Sequence, residues 1–285
     1  MRIIFSRKGF DSQYGGVPSP LLPDGGLTSF PIPSRYGRPI DDLSFRGRPL
    51  VDLVNDLKGG VGTVHLDPDL EADCVPRQPG WLPTFGQVGG AQSHLANEGV
   101  GVGDVFLFFG WFRQVEQHQG RWRYVRSAPH IHSLFGWLQV GEIIPVPKAF
   151  SQDVCVRYPW LADHPHVQHG TTIGTNNTLY VATQHLTFGR RPTNTAGAGM
   201  FRRWTSSLQL TEPGRSRSRW LLPSWMSPEA GMPALSLHSK ESRWETIGNR
   251  VRLQTVGKGQ EFVLNMGEHR DGIAWVRSLI ESHSI

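Results

Sequence analysis

The sequence predicts an α+β fold dominated by short strands, with a meander or small barrel at its centre. Its 33 Gly and 21 Pro are scattered along 285 residues, so the chain turns often. Hydrophobic residues make up 38% and charged residues only 19%, a balance that suits many short buried elements better than a solvated helical bundle. Between residues 105 and 144 the apolar runs are dense in aromatic and β-branched side chains, which pack well on pleated surfaces. The length allows a large core, and residues 1–285 read as a single domain with its central part at about 81–210, extended at both ends.

In "MRIIFSRKGFDSQYGG" the run Ile3-Ile4-Phe5 reads as a first buried strand, followed at once by Ser6, Arg7, Lys8 and Asp11 and then by two glycines. Residues 12–49 hold "GGVPSPLLPDGGLTSFPIP", too rich in Pro and Gly for regular structure, and are expected to wrap the core as an ordered irregular segment. Leu50, Leu53, Val54 and Leu57 recur at helical spacing, and Gly59-Gly60 ends that helix. "AQSHLANEGVGVGDVFLFFGWFRQVE" predicts a short helix, a glycine-rich connection and a strand from Val105 to Phe112. Further strands follow in "WRYVR", "HSLFGWLQVGEIIPV" and Thr178 to Ala182, and strand or extended chain in "MFRRWTSSLQLT" and "RSRWLLPSW". A C-terminal helix should bury Ile273, Val276, Leu279 and Ile280 on one face.

The formal charge is +5, and Arg residues gather at 121/123/126, 190/191, 202/203 and 215/217/219, near Trp122, Trp204 and Trp220. Guanidinium groups grip phosphate while aromatic faces stack on bases, so nucleic acid is the expected partner. Only Cys74 and Cys155 occur, which excludes a disulfide framework and a Cys-rich zinc site and fits a reducing cytoplasm. No apolar run approaches the roughly 18 residues of a membrane span or signal core, so a cytoplasmic monomer is expected. The phosphate-loop ending, the Gly-x-Ser-x-Gly elbow and the His-Glu-x-x-His helix are absent, which argues against a kinase and against hydrolases of those classes. His164, His166 and His169 in "DHPHVQH" have a proline among them and no Cys partner, and read as an exposed loop; no metal or cofactor is expected.

Two resemblances sharpen this reading. Val102-Gly103-Asp104-Val105-Phe106-Leu107-Phe108 and Phe135-Gly136-Trp137-Leu138-Gln139-Val140-Gly141-Glu142 make the block from 81 to 144 resemble the EVE and ASCH branch of the PUA-like superfamily. This implies a PUA-like β-barrel core that holds a modified or flipped base in an aromatic pocket. Over its whole length, through "MRIIFSRKGFDSQYGGVPSPLLPDG", "GVGDVFLFFGWFR", "NTLYVAT", "RSRWLLPSW" and "GKGQEFVLN", the chain resembles the third type of nucleotide-modification-associated domain, a family linked to DNA base hypermodification. The resemblance implies action on altered bases in DNA. The family includes anti-phage glycosylases that act on glucosylated hydroxymethylcytosine, and members expected to build or bind altered bases.

Base excision needs a carboxylate near C1′, a donor for the leaving base, and a pocket for the flipped nucleotide. Asp11, Asp24 and Ser6 are the candidate catalytic residues. Asp24 lies in a Pro-Asp-Gly turn and Asp11 lies close to Arg7 and Lys8, so a structural role stays open for each. Tyr14, Phe109, Trp111 and Trp137 are candidate stacking faces, with Gln92 and His94 for a polar base edge. Arg7, Lys8, Arg113, Arg202 and Arg203 are candidate DNA contacts, and Lys8 also offers an amine for a Schiff-base route. The leading reading is a DNA glycosylase, without cofactor, that removes a hypermodified pyrimidine from double-stranded phage DNA. The alternatives are a non-catalytic reader of modified bases and an enzyme that builds a hypermodified base from a donor nucleotide.

Overall fold

A computed structural model of the chain describes residues 1–146, 152–189 and 191–284. The largest sheet takes β1 (Arg2–Arg7), β2 (Ser19–Leu21), β3 (Thr84–Gln87), β4 (Val105–His118), β5 (Arg121–Tyr124), β6 (Ile131–Val146), β7 (Asn177–Ala182) and β8 (Ala198–Met200). The chain then builds a second, three-stranded sheet from β9 (Arg219–Pro223), β10 (Trp244–Ile247) and β11 (Arg250–Gln254). It returns to the first sheet as β12 (Glu261–Asn265). The main path is β12-β1-β4-β6-β7-β3, with β8 on β6 and both β2 and β5 on β4. β1 runs parallel to β4 and antiparallel to β12, so chain segments some 260 residues apart meet across it. Consecutive apolar residues Ile3, Ile4 and Phe5 suit this strand, which is covered on both faces.

β6 bends this sheet. Its pairing slips between Leu134 and Gly136 and again between Val140 and Glu142, where extra residues bulge. A Cβ at Gly136 would lie 2.7 Å from the Leu70 side chain and 2.8 Å from the Gly199 carbonyl, so only glycine fits there. The curl brings β3 over β1 and β4: Phe85 packs edge-on against Phe106 and Phe108 at 5.1 and 5.3 Å. Gln87 Nε2 reaches Glu261 Oε1 on β12 at 2.6 Å. No backbone ladder joins β3 to β12 among the described residues. The expected barrel is therefore an open, curled sheet whose gap is bridged by side chains.

α1 (Leu50–Lys58) follows its predicted spacing and stops at Gly59, whose φ of +86° is the left-handed conformation a helix C-terminus favours. α2 (Gly89–Asn97) buries Gln92 and Leu95. α3 (Arg270–His283) buries Val276, Leu279 and Ile280, with Ile273 packed at the edge of the core. Two expectations need correction. Residues 12–49 are not wholly irregular, since Ser19–Leu21 pairs with β4 and Ile32–Pro39 forms a two-stranded antiparallel sheet with Thr63–His65. In "MFRRWTSSLQLT" only Met200 remains in a strand, and the chain then turns through a 3-10 segment at Ser206–Leu208. No helix among the described residues is long and apolar enough to cross a membrane.

The Gly103-Asp104 turn before β4 has a structural use. Asp104 is buried; its Oδ1 accepts from the Arg2 backbone N–H at 2.6 Å and its Oδ2 from Gly101 N–H at 2.9 Å. The Arg2 guanidinium adds a contact at 3.4 Å, so one carboxylate fastens the start of β1 to the start of β4. Asp104→Ala is expected to cost about 2 kcal/mol in urea denaturation, because it leaves buried N–H groups without their charged acceptor.

Candidate active site

A cleft of about 590 Å3 opens between the outer face of β1 and β4 and the second sheet. Strand alternation sends Arg7 into it and turns Ser6 and Lys8 to the inside of the curl. Phe109, Trp220 and Phe262 lie beneath the cleft as its floor, each buried, with Trp220 edge-on to Phe109 at 4.9 Å; Phe109 is therefore packed core rather than the free stacking face its sequence position suggested, and Trp111 is the half-buried ring at the cleft. Asp11, Trp111, Arg217 and Lys258 also line it. The Arg217 guanidinium lies 4.2 Å over the Trp111 ring, and its Nη2 donates to Ser12 Oγ at 2.5 Å.

Asp11 is fixed by its own turn. Its Oδ1 accepts from the backbone N–H groups of Gln13 and Tyr14, both at 2.7 Å, while no described residue donates to Oδ2. Arg7 Nη2 donates to the Gly259 carbonyl at 2.5 Å, and Arg7 Nε is buried without an acceptor among the described residues. Burial lowers the pKa of both Arg7 and Arg217, and the nearby Asp11 opposes that shift in each.

Local sequence gave no signal for His132. It lines the cleft from β6, and its Nδ1 accepts from Trp220 Nε1 at 3.1 Å. Indole is only a donor, so Nδ1 carries no proton and the neutral ring holds its N–H on Nε2. Burial, reinforced by Arg7 and Arg217, pushes its pKa from 6.5 down to about 3. Between those values the unfolded chain binds a proton that the folded chain refuses, so stability falls as pH drops. Urea melts across that window should lose about 1.4 kcal/mol per pH unit more than those of His132→Gln, whose amide oxygen can still accept from Trp220.

The other sequence candidates fall in different places. Tyr14 is 48% exposed on the Asp11 turn. Asp24 is exposed and its Oδ1 caps the Gly26 N–H at 2.9 Å, the turn role its Pro-Asp-Gly setting allowed. Trp137 and Arg202 border a separate, wider cleft of about 800 Å3, and Arg203 packs over Gly25 beside it. Gln92 accepts from the buried Tyr180 hydroxyl at 2.9 Å, and His94 Nε2 meets Ser236 Oγ at 2.9 Å. Ser6 is fully buried. Arg113 is a structural clamp rather than a free phosphate ligand: its guanidinium donates to the carbonyls of Ala128, Val125 and Arg126 at 3.0–3.1 Å. Lys8 is only 6% exposed and is paired with Glu261 at 3.0 Å, which removes it from any surface role. Of the Arg clusters, Arg123 and Arg219 pair with Glu116 and Glu245, and Arg190 lies outside the described residues.

"DHPHVQH" is not the exposed loop its spacing suggested. His164 and His166 are buried; His164 caps the short helical turn Pro165–Gln168, and His166 turns inward toward Asp67 and His65. His169 instead packs against the Tyr36 ring. Among the described residues, His65, Asp67 and His166 are the group with metal-ligating atoms close together.

The arrangement in the first cleft is one that can hold a planar base, neutralise phosphate and offer both a carboxylate and a neutral N–H donor. No curated protein and no solved structure matches the chain. The family model described as nucleotide modification associated domain 3 matches residues 2–265. With the cleft residues from Arg7 to Phe262 all inside that span, the chain belongs to the nucleotide modification associated domain 3 family.

Proposed function

We propose that the chain takes a hypermodified pyrimidine, flipped from double-stranded DNA, into the 590 Å3 cleft and hydrolyses its N-glycosidic bond. The observation that carries this reading is the presence, in one cationic cleft with an aromatic floor, of both the Asp11 carboxylate and the neutral His132 ring. The volume falls within the range of about 300–1,000 Å3 usual for small-molecule sites, enough for a base carrying a sugar substituent. As the bond from C1′ to the base nitrogen breaks, its electron pair leaves with the base, and His132 Nε2–H donates to that departing charge. Asp11 Oδ2 stabilises the oxocarbenium-like sugar and takes a proton from the water that attacks C1′. Asp11 then gives up the water's proton to solvent and the departing base anion takes one from solvent, so the products are neutral free base and an abasic site. Arg7, Arg217 and Lys258 supply the positive charge for flanking phosphates. Glucosylated 5-hydroxymethylcytosine in phage DNA is the substrate we favour, as the family resemblance implies. We read the curled sheet as a variant of the PUA-like architecture, bent at the β6 bulges.

The test incubates the protein with glucosylated phage DNA and with unmodified DNA, with no donor nucleotide, and assays abasic sites and released base by mass spectrometry. Abasic sites in the modified DNA alone are expected. Tight binding without release would make the chain a reader, and turnover only with a donor nucleotide would make it a base-modifying enzyme.

A further inference from the structure

We infer that His65, Asp67 and His166 form a binding site for a first-row divalent transition cation, distinct from the cleft. His166 Nε2 lies 3.3 Å and His65 Nε2 3.7 Å from Asp67 Oδ2. Those separations are long for charge-assisted hydrogen bonds, which run about 2.7–2.9 Å. The first falls in, and the second slightly beyond, the roughly 3.3–3.5 Å between donors that each sit about 2.0–2.2 Å from a shared ion near tetrahedral angles, and the three ligand atoms all lie within 4.8 Å of one another.

Proton positions point the same way. Asn177 Nδ2 donates to the His166 carbonyl at 2.9 Å, which fixes the amide so that its Oδ1 faces His166 Nδ1 at 2.6 Å. His166 Nδ1 must therefore carry the proton, and in the neutral ring the Nε2 lone pair is aimed at a carboxylate oxygen. Two acceptors face one another, an arrangement that a cation between them resolves. Two of the three ligands also have the outer support typical of a metal centre. Asn177 holds the His166 ring, and Gly86 N–H donates to Asp67 Oδ1 at 2.9 Å, leaving Oδ2 for the ion. Gly86 is required for this packing, because a Cβ there would fall 2.5 Å from the His166 ring. His65 Nε2 is buried and has no hydrogen-bond partner among the described residues.

Two imidazoles and one carboxylate select Zn2+, Fe2+ or Mn2+ over Ca2+ and Mg2+. With three protein ligands the ion keeps a position for water. The His65 side chain is 17% exposed and is the part of the site nearest solvent, although its Nε2 is buried. The site is not legible in local sequence, because the spacing of His164, His166 and His169 suggests a local cluster, whereas the partners of His166 lie about 100 residues upstream.

The test uses the full chain, stripped with EDTA and dialysed, and titrates it with ZnCl2 by calorimetry and with CoCl2 by visible absorption. One Zn2+ per chain and the ligand-field bands of bound Co2+ are expected, with no response to Mg2+. His65→Ala should abolish the Co2+ bands, and Asn177→Ala, which removes only the support of His166, should weaken Zn2+ binding about 10–100-fold. Circular dichroism melts establish that each variant is folded, and Asp11→Asn should bind Zn2+ as the wild type does. Absence of Zn2+ heat and of Co2+ bands in the wild type would overturn the inference and leave His166 as an imidazolium paired with Asp67. Unchanged Zn2+ binding in folded His65→Ala would overturn the ligand assignment.

Discussion

Asp11→Asn is expected to lower the rate of base release from glucosylated DNA by about 10²–10⁴-fold while leaving DNA affinity within a few-fold of wild type. The substitution is informative because it spares the fold. Asparagine offers the same Oδ1 to the Gln13 and Tyr14 N–H groups, so the turn that presents the side chain to the cleft survives. What disappears is the charge on the second oxygen, the part assigned to the sugar and the attacking water. Asp24→Asn provides the contrast, since its amide can go on capping Gly26 and its rate should stay within about two-fold. Full activity in Asp11→Asn would reduce Asp11 to a turn residue and remove the carboxylate from the proposed mechanism.

Local patterns foretold the local structure. α1, α3 and the strands from Val105 to Ala182 follow from apolar spacing, and Gly59 ends α1 as its sequence position suggests. The opening stretch was legible in part: Arg7 and Asp11 do share a cleft. Ser6 and Lys8 do not join them, because alternation along β1 turns them to the opposite face. His132, Arg217 and Trp220 could not be ranked from sequence. Each becomes significant only when β6, the approach to β9 and β12 converge on the outer face of β1, at separations that no local window spans. The same limit hid the open sheet. The pattern from Phe135 to Glu142 resembles that of a PUA-like barrel, whereas closure depends on how β3 meets β12.

Breaking the Lys8–Glu261 pair is expected to have the largest effect on stability. The two side chains are 6% and 1% exposed and meet at 3.0 Å beside the gap between β3 and β12, where the backbone makes no ladder. Lys8 Nζ also lies 4.5 Å from the Phe85 ring centroid, and Gln87 Nε2 donates to the same Glu261 Oε1. A net gain from this pair need not be large, since both ions lose their hydration on burial. Removing one partner is another matter, because the survivor is left buried and uncompensated. Lys8→Met strands a carboxylate whose Oε2 has no hydrogen-bond partner among the described residues, and Glu261→Gln strands an ammonium on an aromatic face. Each should cost about 3–5 kcal/mol in urea denaturation. The double variant Lys8→Met/Glu261→Gln should recover most of that loss, since no buried ion remains. If the single variants cost little, or the double variant merely adds their losses, the pair does not hold the curled sheet together and the gap must be bridged by apolar packing around Phe85. Lys8 so enclosed is also a poor nucleophile: borohydride trapping on modified DNA should leave no covalent adduct at Lys8, which separates water as the attacking group from the Schiff-base route.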